Sequence, residues 1–474
     1  MHPLAPAVAQ RSAFAGRYVR KANEYAGMAQ NFLTCDREQV LLLPPCLRDW
    51  LAEDHLAWFV LDAVDELDLV AFYGEYREDG WGRAAFDPAM MVALLVYAYA
   101  IGERSSRAIE RRCREDIAFR VITANQTPDH ATIARFRARH QDALAGLFSD
   151  VLHLCAQAGM VSVGLIAVDG TKLHANASMS ANRSYEKIAE EILAEAAAAD
   201  AQEDTQLGDL RGDELPAHLV GRSSRKARLK AAKERLESEV KAAQQAHRKR
   251  EMERAALERE RGSKLRGRKP KAPARRVDPV ARANTTDPDS RLMRGPKGFL
   301  QGYNAQAVTS ERQVILAAEL SVDSPDARLL EPMVDVARAE LRAAGIDQQP
   351  GVVLADAGYW NAPQIEAVVA SGSQVLVNPD ASARATRTAQ QRKLRDKRVT
   401  GLYAHMQRVM LAEHGSALYA RRQPMVEPVF AHTKVIRRAD RFQRRGFAAC
   451  RSEWRLIAAT HNLLKLWRHS SAIA

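Results

Sequence analysis

Cysteine is scarce in this chain of 474 residues, and its distribution limits what the protein can be. The five cysteines are odd in number, widely scattered, and form no CxxC pair; they are Cys35, Cys46, Cys113, Cys155 and Cys450. This distribution argues against a disulfide framework and against a cysteine-ligated zinc site. It fits a reducing cytosol, and we therefore expect a cytoplasmic protein.

Long apolar runs are also missing. The most apolar stretch, residues 90–101, is too short to span a bilayer. The N-terminus carries charged residues early and lacks a compact apolar core followed by a cleavage site, so it does not read as a signal peptide. We therefore expect no membrane partner.

Acidic residues are in the minority, with 58 Asp and Glu against 70 Lys and Arg, and the formal net charge is +12. A basic protein of this size suits a polyanionic partner, nucleic acid first and an anionic membrane surface second; a protein that is merely basic is the alternative. The excess is local. Residues 221–276 hold 21 Lys or Arg, 7 Glu and no Asp, an excess of 14. Without this segment the chain is close to neutral.

Composition and periodicity divide the chain into four regions. Residues 1–35 are weakly patterned and basic, as in a flexible arm. Residues 36–158 carry a helical pattern throughout. Residues 183–289 predict a basic helical insertion, either a coiled-coil hairpin that contacts a DNA backbone or a solvated charged helix with a disordered tail. Strands alternate with helices in residues 159–182 and 290–470, which predicts an α/β fold with a mixed sheet and flanking helices.

A helix–turn–helix is expected inside the helical region. Ser106 can cap a first helix, and Thr127-Pro128 can start a second one, with proline at the first helical position. In this second helix Ile133 and Phe136 face inward. Two interpretations of this second helix stay open: it enters a DNA major groove, or it is an ordinary bundle helix whose basic face is solvated. The basic residues expected to point away from the core are Arg135, Arg137, Arg139 and His140, and the three arginines are the candidate DNA contacts.

Two apolar strands end in aspartate, at Asp169 and at Asp356. Working groups in open α/β sheets sit at strand ends, where a carboxylate is close to low dielectric and costly unless it is paired or bound to a metal. Two such carboxylates and a third from a helix form an oxygen-only site suited to Mg²⁺, which activates a hydroxyl for attack on a phosphodiester. The alternative for each Asp–Gly step is an ordinary turn.

The candidate for the third carboxylate is Glu427, which is flanked by Val426 and Pro428. A glutamate in such apolar surroundings is unusual. Lys434 follows seven residues later, about two helical turns along. It could therefore share a helix face with Glu427 and contact a phosphate.

The chain resembles the insertion-sequence DDE transposases, in the group with a ribonuclease-H-like catalytic domain and an N-terminal helical domain that reads DNA. The resemblance begins near Asp36 and covers nearly the whole remaining chain. Its carriers are Leu43-Pro44-Pro45-Cys46-Leu47-Arg48-Asp49-Trp50-Leu51, Pro128-Asp129-His130-Ala131-Thr132-Ile133-Ala134-Arg135-Phe136-Arg137, Asp169-Gly170-Thr171-Lys172, Gly302-Tyr303-Asn304-Ala305-Gln306, Asp356-Ala357-Gly358-Tyr359, Val426-Glu427-Pro428-Val429-Phe430 and His461-Asn462-Leu463.

The resemblance implies that Asp169, Asp356 and Glu427 are the three catalytic acids and hold two Mg²⁺ ions, which Mn²⁺ can replace. The family's tyrosine–arginine–glutamate–lysine signature falls on Tyr419, Arg422, Glu427 and Lys434, with four residues between arginine and glutamate where the pattern has three. In this family Arg422 and Lys434 would bind phosphates, and Tyr419 would contact a terminal nucleotide. A structural surface role is the alternative for each of these three residues. His461 and Asn462 are expected to pack or cap.

The implied function is DNA transposition: cleavage at the inverted-repeat ends of the element and attack of the freed 3′-hydroxyl on target DNA. The implied partners are these two DNAs and a second protomer in the synaptic complex, within the cytoplasmic nucleoid. Two alternatives stay open. One is a metal-dependent nuclease of the same fold that cuts without rejoining, and the other is a DNA-binding regulator with a decayed catalytic site.

Overall fold

A computed structural model describes residues 33–37, 46–77, 79, 82, 84–194, 225–265, 269, 271–295, 298–379 and 401–473. The predicted flexible arm lies almost entirely outside the described residues, and so does the middle of the predicted insertion, at 195–224.

The N-terminal half is helical, as its periodicity predicts. A 3₁₀ turn at Leu47–Trp50 precedes α1 (Leu56–Asp65), α2 (Val70–Tyr73), α3 (Pro88–Ala100), α4 (Ser106–Glu115), α5 (Ile117–Ile122), α6 (His130–Arg139) and α7 (Gln141–Gln157). Asp87 caps α3 by accepting a hydrogen bond from the Ala89 backbone N–H at 2.9 Å, and Pro88 takes the first helical position. Helix α3 is buried on nearly all sides because it is apolar on nearly all sides.

The expected helix–turn–helix differs in two respects. The short helix α5 lies between the two predicted helices, capped by Asp116, whose carboxylate accepts from the Ala118 N–H. The second helix starts at His130 rather than at Pro128, because Asp129 acts as its cap and accepts from the Thr132 N–H at 2.6 Å. Helices α4 and α6 still pack against each other.

The α/β region contains a six-stranded mixed sheet. Its strands are β1 (Leu165–His174), β4 (Arg291–Gly295), β5 (Gly298–Ser310), β6 (Ile315–Ser321), β7 (Val352–Ala355) and β8 (Gln374–Val377). They follow the order β4-β5-β1-β7-β8, and β6 also pairs with β5. Strand β1 runs parallel to β7 and antiparallel to β5, and β7 runs parallel to β8. This arrangement, with helices on both faces, is compatible with a ribonuclease-H-like core.

Strand β1 extends five residues beyond Asp169, where the sequence predicts that it ends. It continues to His174 because residues 169–174 pair with β5, down to His174 opposite Gly302. The backbones of β1 and β5 approach each other closely here, which requires glycine at 302. A Cβ atom at this position would lie 2.0 Å from the Leu173 carbonyl oxygen. The first strand therefore carries its polar residues through the sheet instead of ending at Asp169.

The helices that cover the sheet come mainly from the C-terminal half. They are α9 (Leu330–Ala343), α10 (Ala362–Ala370), α11 (Leu402–Leu411), α12 (Glu413–Ala420), α13 (Arg422–Ala431) and, after a π-helical turn at His432–Ile436, α14 (Phe447–Ile473). Helix α14 packs against β6, α7 and α3, so one apolar core joins the N-terminal helices to the sheet. Asn462 fixes it by accepting from the Ile315 N–H and donating to the Ile315 carbonyl, both at 2.8 Å.

The predicted insertion contains β2 (Asn182–Ser184), a helix at residues 185–194, the long helix α8 (Arg225–Glu260) and β3 (Arg282–Asn284). Strands β2 and β3 pair antiparallel and close the base of this region. A small apolar cluster beside them includes Ile188, Leu229 and Leu236. No helix in the described part of the chain combines the length and apolar character needed to cross a membrane.

Candidate active site

Asp169 and Asp356 lie side by side at the sheet. Val168 pairs with Ala355 across the parallel strands β1 and β7, and each aspartate is the next residue of its chain. Side chains alternate along a strand, so Asp169 projects to the same face as Ala167, which packs with Leu354 in a cluster that includes α13. Each aspartate accepts a 2.8 Å hydrogen bond from a glycine N–H, that of Gly170 or Gly358.

The carboxyl group of Asp169 is held in an unfavourable environment for a negative charge. Burial raises its pKa to about 6, Arg422 opposes that rise, and the negative charge of Asp356 adds to it. The side chain is 18% exposed. A buried carboxylate that lies beside a second one binds a cation favourably, because the cation relieves both the burial and the repulsion.

In this structure the guanidinium of Arg422 is the cation that pairs with Asp169. Arg422 begins α13, and its guanidinium donates to the Asp169 carboxylate at 2.9 Å with only 17% of its own side chain exposed. Tyr419, at the end of α12, lies beside this pair; burial raises the pKa of its hydroxyl, while Arg422 lowers it. Two residues of the predicted signature therefore meet the first predicted acid.

Lys434 reaches the same region from the π-helical turn. Its Nζ donates to the carbonyl oxygen of Lys172 on β1 at 3.3 Å, and burial lowers the pKa of its ammonium group. The turn shifts Lys434 away from the two-helical-turn spacing that the sequence suggested, because an i→i+5 bonding pattern rotates the residues that follow. Lys434 lies within electrostatic range of Lys172, a residue of the motif at positions 169–172 for which no role was predicted.

Glu427 is placed differently from the other two acids. It lies on α13, where the apolar neighbours Val426 and Val429 are buried and Glu427 itself is exposed. Its carboxylate accepts from the Gln423 side chain at 3.0 Å. Among the described residues, no group of three or more His, Cys, Asp or Glu side chains is arranged to hold a metal ion. The structure thus brings Asp169 and Asp356 together and leaves Glu427 apart from them.

The oxygen-only pair Asp169 and Asp356 fits part of the donor set of a hard divalent cation. The burial of Asp169 and the nearby negative charge of Asp356 favour a cation there. Glu427 would complete the set only after a rearrangement, since Arg422 occupies the Asp169 side of α13. Residues 422 and 427 are separated by about 140° around a regular helix, so both cannot face Asp169 from one orientation of α13.

A third aspartate close to the pair was missed by the sequence reasoning. Asp326, in the loop before α9, receives the Lys172 ammonium at 3.2 Å, the Asn304 amide at 2.7 Å and the Gln306 amide at 2.9 Å. Tyr359 in turn donates to the Gln306 side-chain oxygen. The resulting network ties β1, β5 and the loop after Asp356 together.

Gly170 is part of this arrangement, because a Cβ atom there would lie 2.0 Å from the Gln306 amide nitrogen. The signal available in the sequence was the polar pair Asn304 and Gln306, two residues apart and flanked by Tyr303, Ala305 and Ala307. Both side chains lie on one strand face, where buried amides need partners. Asp326 itself carries no comparable mark in the sequence.

The basic helix α6 carries two exposed arginines and one buried one. Arg135 and Arg139 are exposed, as predicted. The expectation that Arg137 and His140 point away from the core is wrong, since Arg137 is 7% and His140 is 1% exposed. The Arg137 guanidinium donates to the Arg104 carbonyl, the Tyr99 hydroxyl and the Ser106 hydroxyl, and these bonds hold α6 against α3 and α4. Arg137 therefore has a structural role, and it lacks the exposed position from which a DNA contact was expected.

The chain matches two family models. Residues 45–139 match the family described as Transposase domain (DUF772), and residues 380–467 match the family described as Transposase DDE domain. The first match covers the N-terminal helices α1–α6. The second contains Tyr419, Arg422, Glu427 and Lys434. No curated protein and no solved structure matches the chain.

Proposed function

The chain belongs to the insertion-sequence DDE transposases, and we propose that it binds the inverted-repeat ends of its element and catalyses metal-dependent hydrolysis and transfer of DNA strands. The observation that carries the proposal is the meeting of Asp169 and Asp356 at the adjoining parallel strands β1 and β7, with Arg422 and Tyr419 beside them. Two adjacent carboxylates, of which that of Asp169 is largely buried, with basic side chains beside them suit a reaction at a phosphodiester.

We propose that Asp169, Asp356 and Glu427 are the three metal-binding acids. Mg²⁺ ions, or Mn²⁺ in their place, would activate the attacking hydroxyl and stabilise the departing oxygen. Asp169 and Asp356 are already adjacent, and α13 has to reorient to bring Glu427 to them. Arg422 would leave Asp169 in that step and bind the phosphate at the cleavage point, so that its charge passes from a carboxylate to the DNA.

The other basic residues of the site would orient the DNA strand. Lys434 and Lys172 lie near each other beside the part of β1 that follows its pairing with β7. We propose that a phosphodiester approaches there. Tyr419 would contact the terminal nucleotide. We assign general DNA contact to Arg135 and Arg139 on α6, which are exposed and able to reach a groove or backbone. We also propose that two protomers join in the synaptic complex.

The test is the variant Asp169→Asn, assayed on linear DNA that carries the element ends, with Mg²⁺ or Mn²⁺ present. We expect hydrolysis and strand transfer to be lost and DNA affinity to stay within about twofold of the wild type, because the carboxylate acts on the reacting phosphate and not in general binding. Metal-dependent cleavage retained by this variant would overturn the proposal.

Product analysis of the wild-type reaction separates transposition from the alternative nuclease. Joined products, sequenced across the junction, are expected for a transposase. Cut ends without joined products would assign the chain to hydrolysis alone. A calorimetric titration in which neither Mg²⁺ nor Mn²⁺ binds would favour a DNA-binding regulator.

A further inference from the structure

A cavity of about 360 Å³ lies at the base of the insertion, away from the carboxylate pair. Three arginines from three different elements line it: Arg235 of α8, Arg282 of β3 and Arg291 of β4. Amide side chains form part of the remaining wall, including Asn182 and Gln301. We call this space the arginine cavity.

The wall of the cavity is fixed before any ligand arrives. Asn182 donates to the Gln301 side-chain oxygen at 3.0 Å, and Gln301 donates to the Ser290 hydroxyl at 2.7 Å. Arg235 donates to the backbone carbonyl of Arg282 at 2.8 Å, which links the long helix to the two-stranded sheet. Hydrogen bonds hold the guanidinium groups of Arg235 and Arg291 in place, which reduces the entropy lost on binding.

Positive charge in the cavity exceeds the available negative charge. The single carboxylate of Glu239 pairs with two guanidinium groups. Its Oε1 lies 3.1 Å from Nη1 of Arg235 and also accepts a hydrogen bond from Arg291. Arg282 forms no ion pair within the described part of the chain, and its side chain is exposed. Asp289 is the other acid within electrostatic range of Arg235, and one of its oxygens accepts from the Phe447 N–H.

The Arg235 side chain is nearly buried, with 10% of its surface exposed, and its Nε has no hydrogen-bond partner among the described residues. Burial lowers the pKa of this guanidinium, and the charge of Arg291 lowers it further. Like charges held together at low solvent exposure are costly unless an anion compensates them. Guanidinium groups match the oxygens of a phosphate particularly well.

We propose that the arginine cavity binds a backbone phosphate of DNA, so that the base of the insertion holds the duplex while the carboxylate pair acts elsewhere along it. This inference rests on the proposed function, since it takes DNA as the partner. The contact carries no sequence information, because phosphates are the same at every step of the duplex.

The experiment compares Arg282→Ala, Arg282→Lys and the wild type. Arg282 is the residue to replace, because the side chains of Arg235 and Arg291 also donate hydrogen bonds to backbone carbonyls and their loss would disturb the fold. Arg342→Ala, an exposed arginine at the end of α9, is the matched control. Fluorescence anisotropy of a labelled duplex of about 30 base pairs, at about 50 to 200 mM NaCl, gives the affinity and its salt dependence.

We expect Arg282→Ala to weaken DNA binding about fivefold or more at low salt and to reduce the slope of log K against log salt by about 1. Arg282→Lys should restore most of the slope, and Arg342→Ala should match the wild type. Equal slopes for the wild type and Arg282→Ala would overturn the proposal. Stabilisation of the wild type by inorganic phosphate, with no change in DNA binding for Arg282→Ala, would assign the cavity to a free anion and also overturn it.

The outcome is independent of the chemistry at the carboxylate pair. Asp169→Asn should retain the full salt slope, because the arginine cavity is intact in it. If the wild type bound DNA through Arg282 but cleaved nothing, the proposed function would fail while this inference stood. If cleavage occurred with no effect of Arg282→Ala on binding, the inference alone would fail.

Discussion

The guanidinium of Arg422 lies 2.9 Å from the carboxylate of Asp169, and more than four fifths of each side chain is buried. A cation therefore already compensates one member of the carboxylate pair. A metal ion that binds Asp169 has to displace this guanidinium or share the carboxylate with it. The ion pair couples metal binding to the position of α13, the helix that also carries Glu427.

Replacing Arg422 with alanine should have opposite effects on metal binding and on catalysis. Mn²⁺ affinity in the absence of DNA should rise, because the competing cation is gone and Asp169 remains beside Asp356. DNA cleavage should fall by about 100-fold, because the phosphate loses its guanidinium partner. Calorimetry with Mn²⁺ and single-turnover cleavage measure the two effects.

Arg421 offers the matched control for this variant. It is adjacent in sequence, 57% exposed, and pairs with Glu311 at the surface. Arg421→Ala should leave both measurements within about twofold of the wild type, because exposed ion pairs contribute little. If Arg422→Ala and Arg421→Ala weakened Mn²⁺ binding alike, the idea that Arg422 occupies the position of a cation would be wrong.

Glu427→Gln tests whether the third acid joins the site during the reaction. We expect cleavage to fall by about 100-fold or more, with the melting temperature unchanged because Glu427 is exposed and the amide can keep the contact with Gln423. Glu413→Gln, on the preceding helix, is the control. Activity that survives in Glu427→Gln and is lost in Asp326→Asn would transfer the third role to Asp326.

Gly170→Ala tests the network around Asp326. The added methyl group would overlap the Gln306 amide, 2.0 Å from the ideal Cβ position, so the network must shift or break. We expect a loss of about 1–3 kcal/mol in the free energy of unfolding and a larger fall in cleavage than in DNA affinity. Chemical denaturation and single-turnover cleavage measure these effects.

Gly164→Ala is the control for Gly170→Ala, because no atom of the described residues lies within 4 Å of its ideal Cβ and its φ is not positive. It should be neutral or slightly stabilising, since alanine restricts the unfolded chain. Full cleavage activity in Gly170→Ala, measured on folded protein, would show that the network around Asp326 does not position the carboxylate pair.

The alternation of strands and helices was predictable, because strands such as β7 and β8 are short, apolar runs bounded by turns. The apolar run that ends at Asp356 placed β7 to within one residue, and the resemblance to the transposase family is confirmed by two family models. The spacing of residues 133, 136, 137 and 140 places all four on one helix face, so the prediction that Arg137 points outward followed its charge against the helical period. The buried guanidinium of Arg137 is satisfied by the Arg104 carbonyl and the Tyr99 hydroxyl, both supplied by other parts of the fold.

The residues of the candidate site were predictable only where a pattern of neighbouring residues in the sequence marks them. Asp169 and Asp356 each follow an apolar run, and pairing of β1 with β7 brings them together. Asp326 follows no strand and belongs to the site only because Lys172, Asn304 and Gln306 converge on it from other elements. The ion pair of Arg422 with Asp169 likewise depends on the packing of α13 on the sheet, which no spacing in the sequence encodes.

Acid should destabilise the fold through His461. This histidine is buried in α14, and burial lowers its pKa to about 3, with the positive charge of Arg437 adding to the effect. The ring is neutral in the folded chain, and one ring nitrogen lies 3.0 Å from the Gln313 carbonyl oxygen. Below the ordinary pKa of about 6.5 the unfolded chain binds a proton that the folded chain does not, so stability falls as the pH falls from 6.5 toward 3, by up to about 1.4 kcal/mol per pH unit.

His461→Gln should reduce this dependence, since an amide can keep the contact with Gln313 and does not titrate. We expect the variant to lose less stability than the wild type between pH 6.5 and pH 4, as measured by urea denaturation at each pH. Burial also lowers the pKa of the neighbouring His432, to about 4, so part of the slope remains in the variant. His469→Gln, at the less buried end of the same helix, is the control. A slope in His461→Gln equal to that of the wild type would show that acid unfolding is set by other groups.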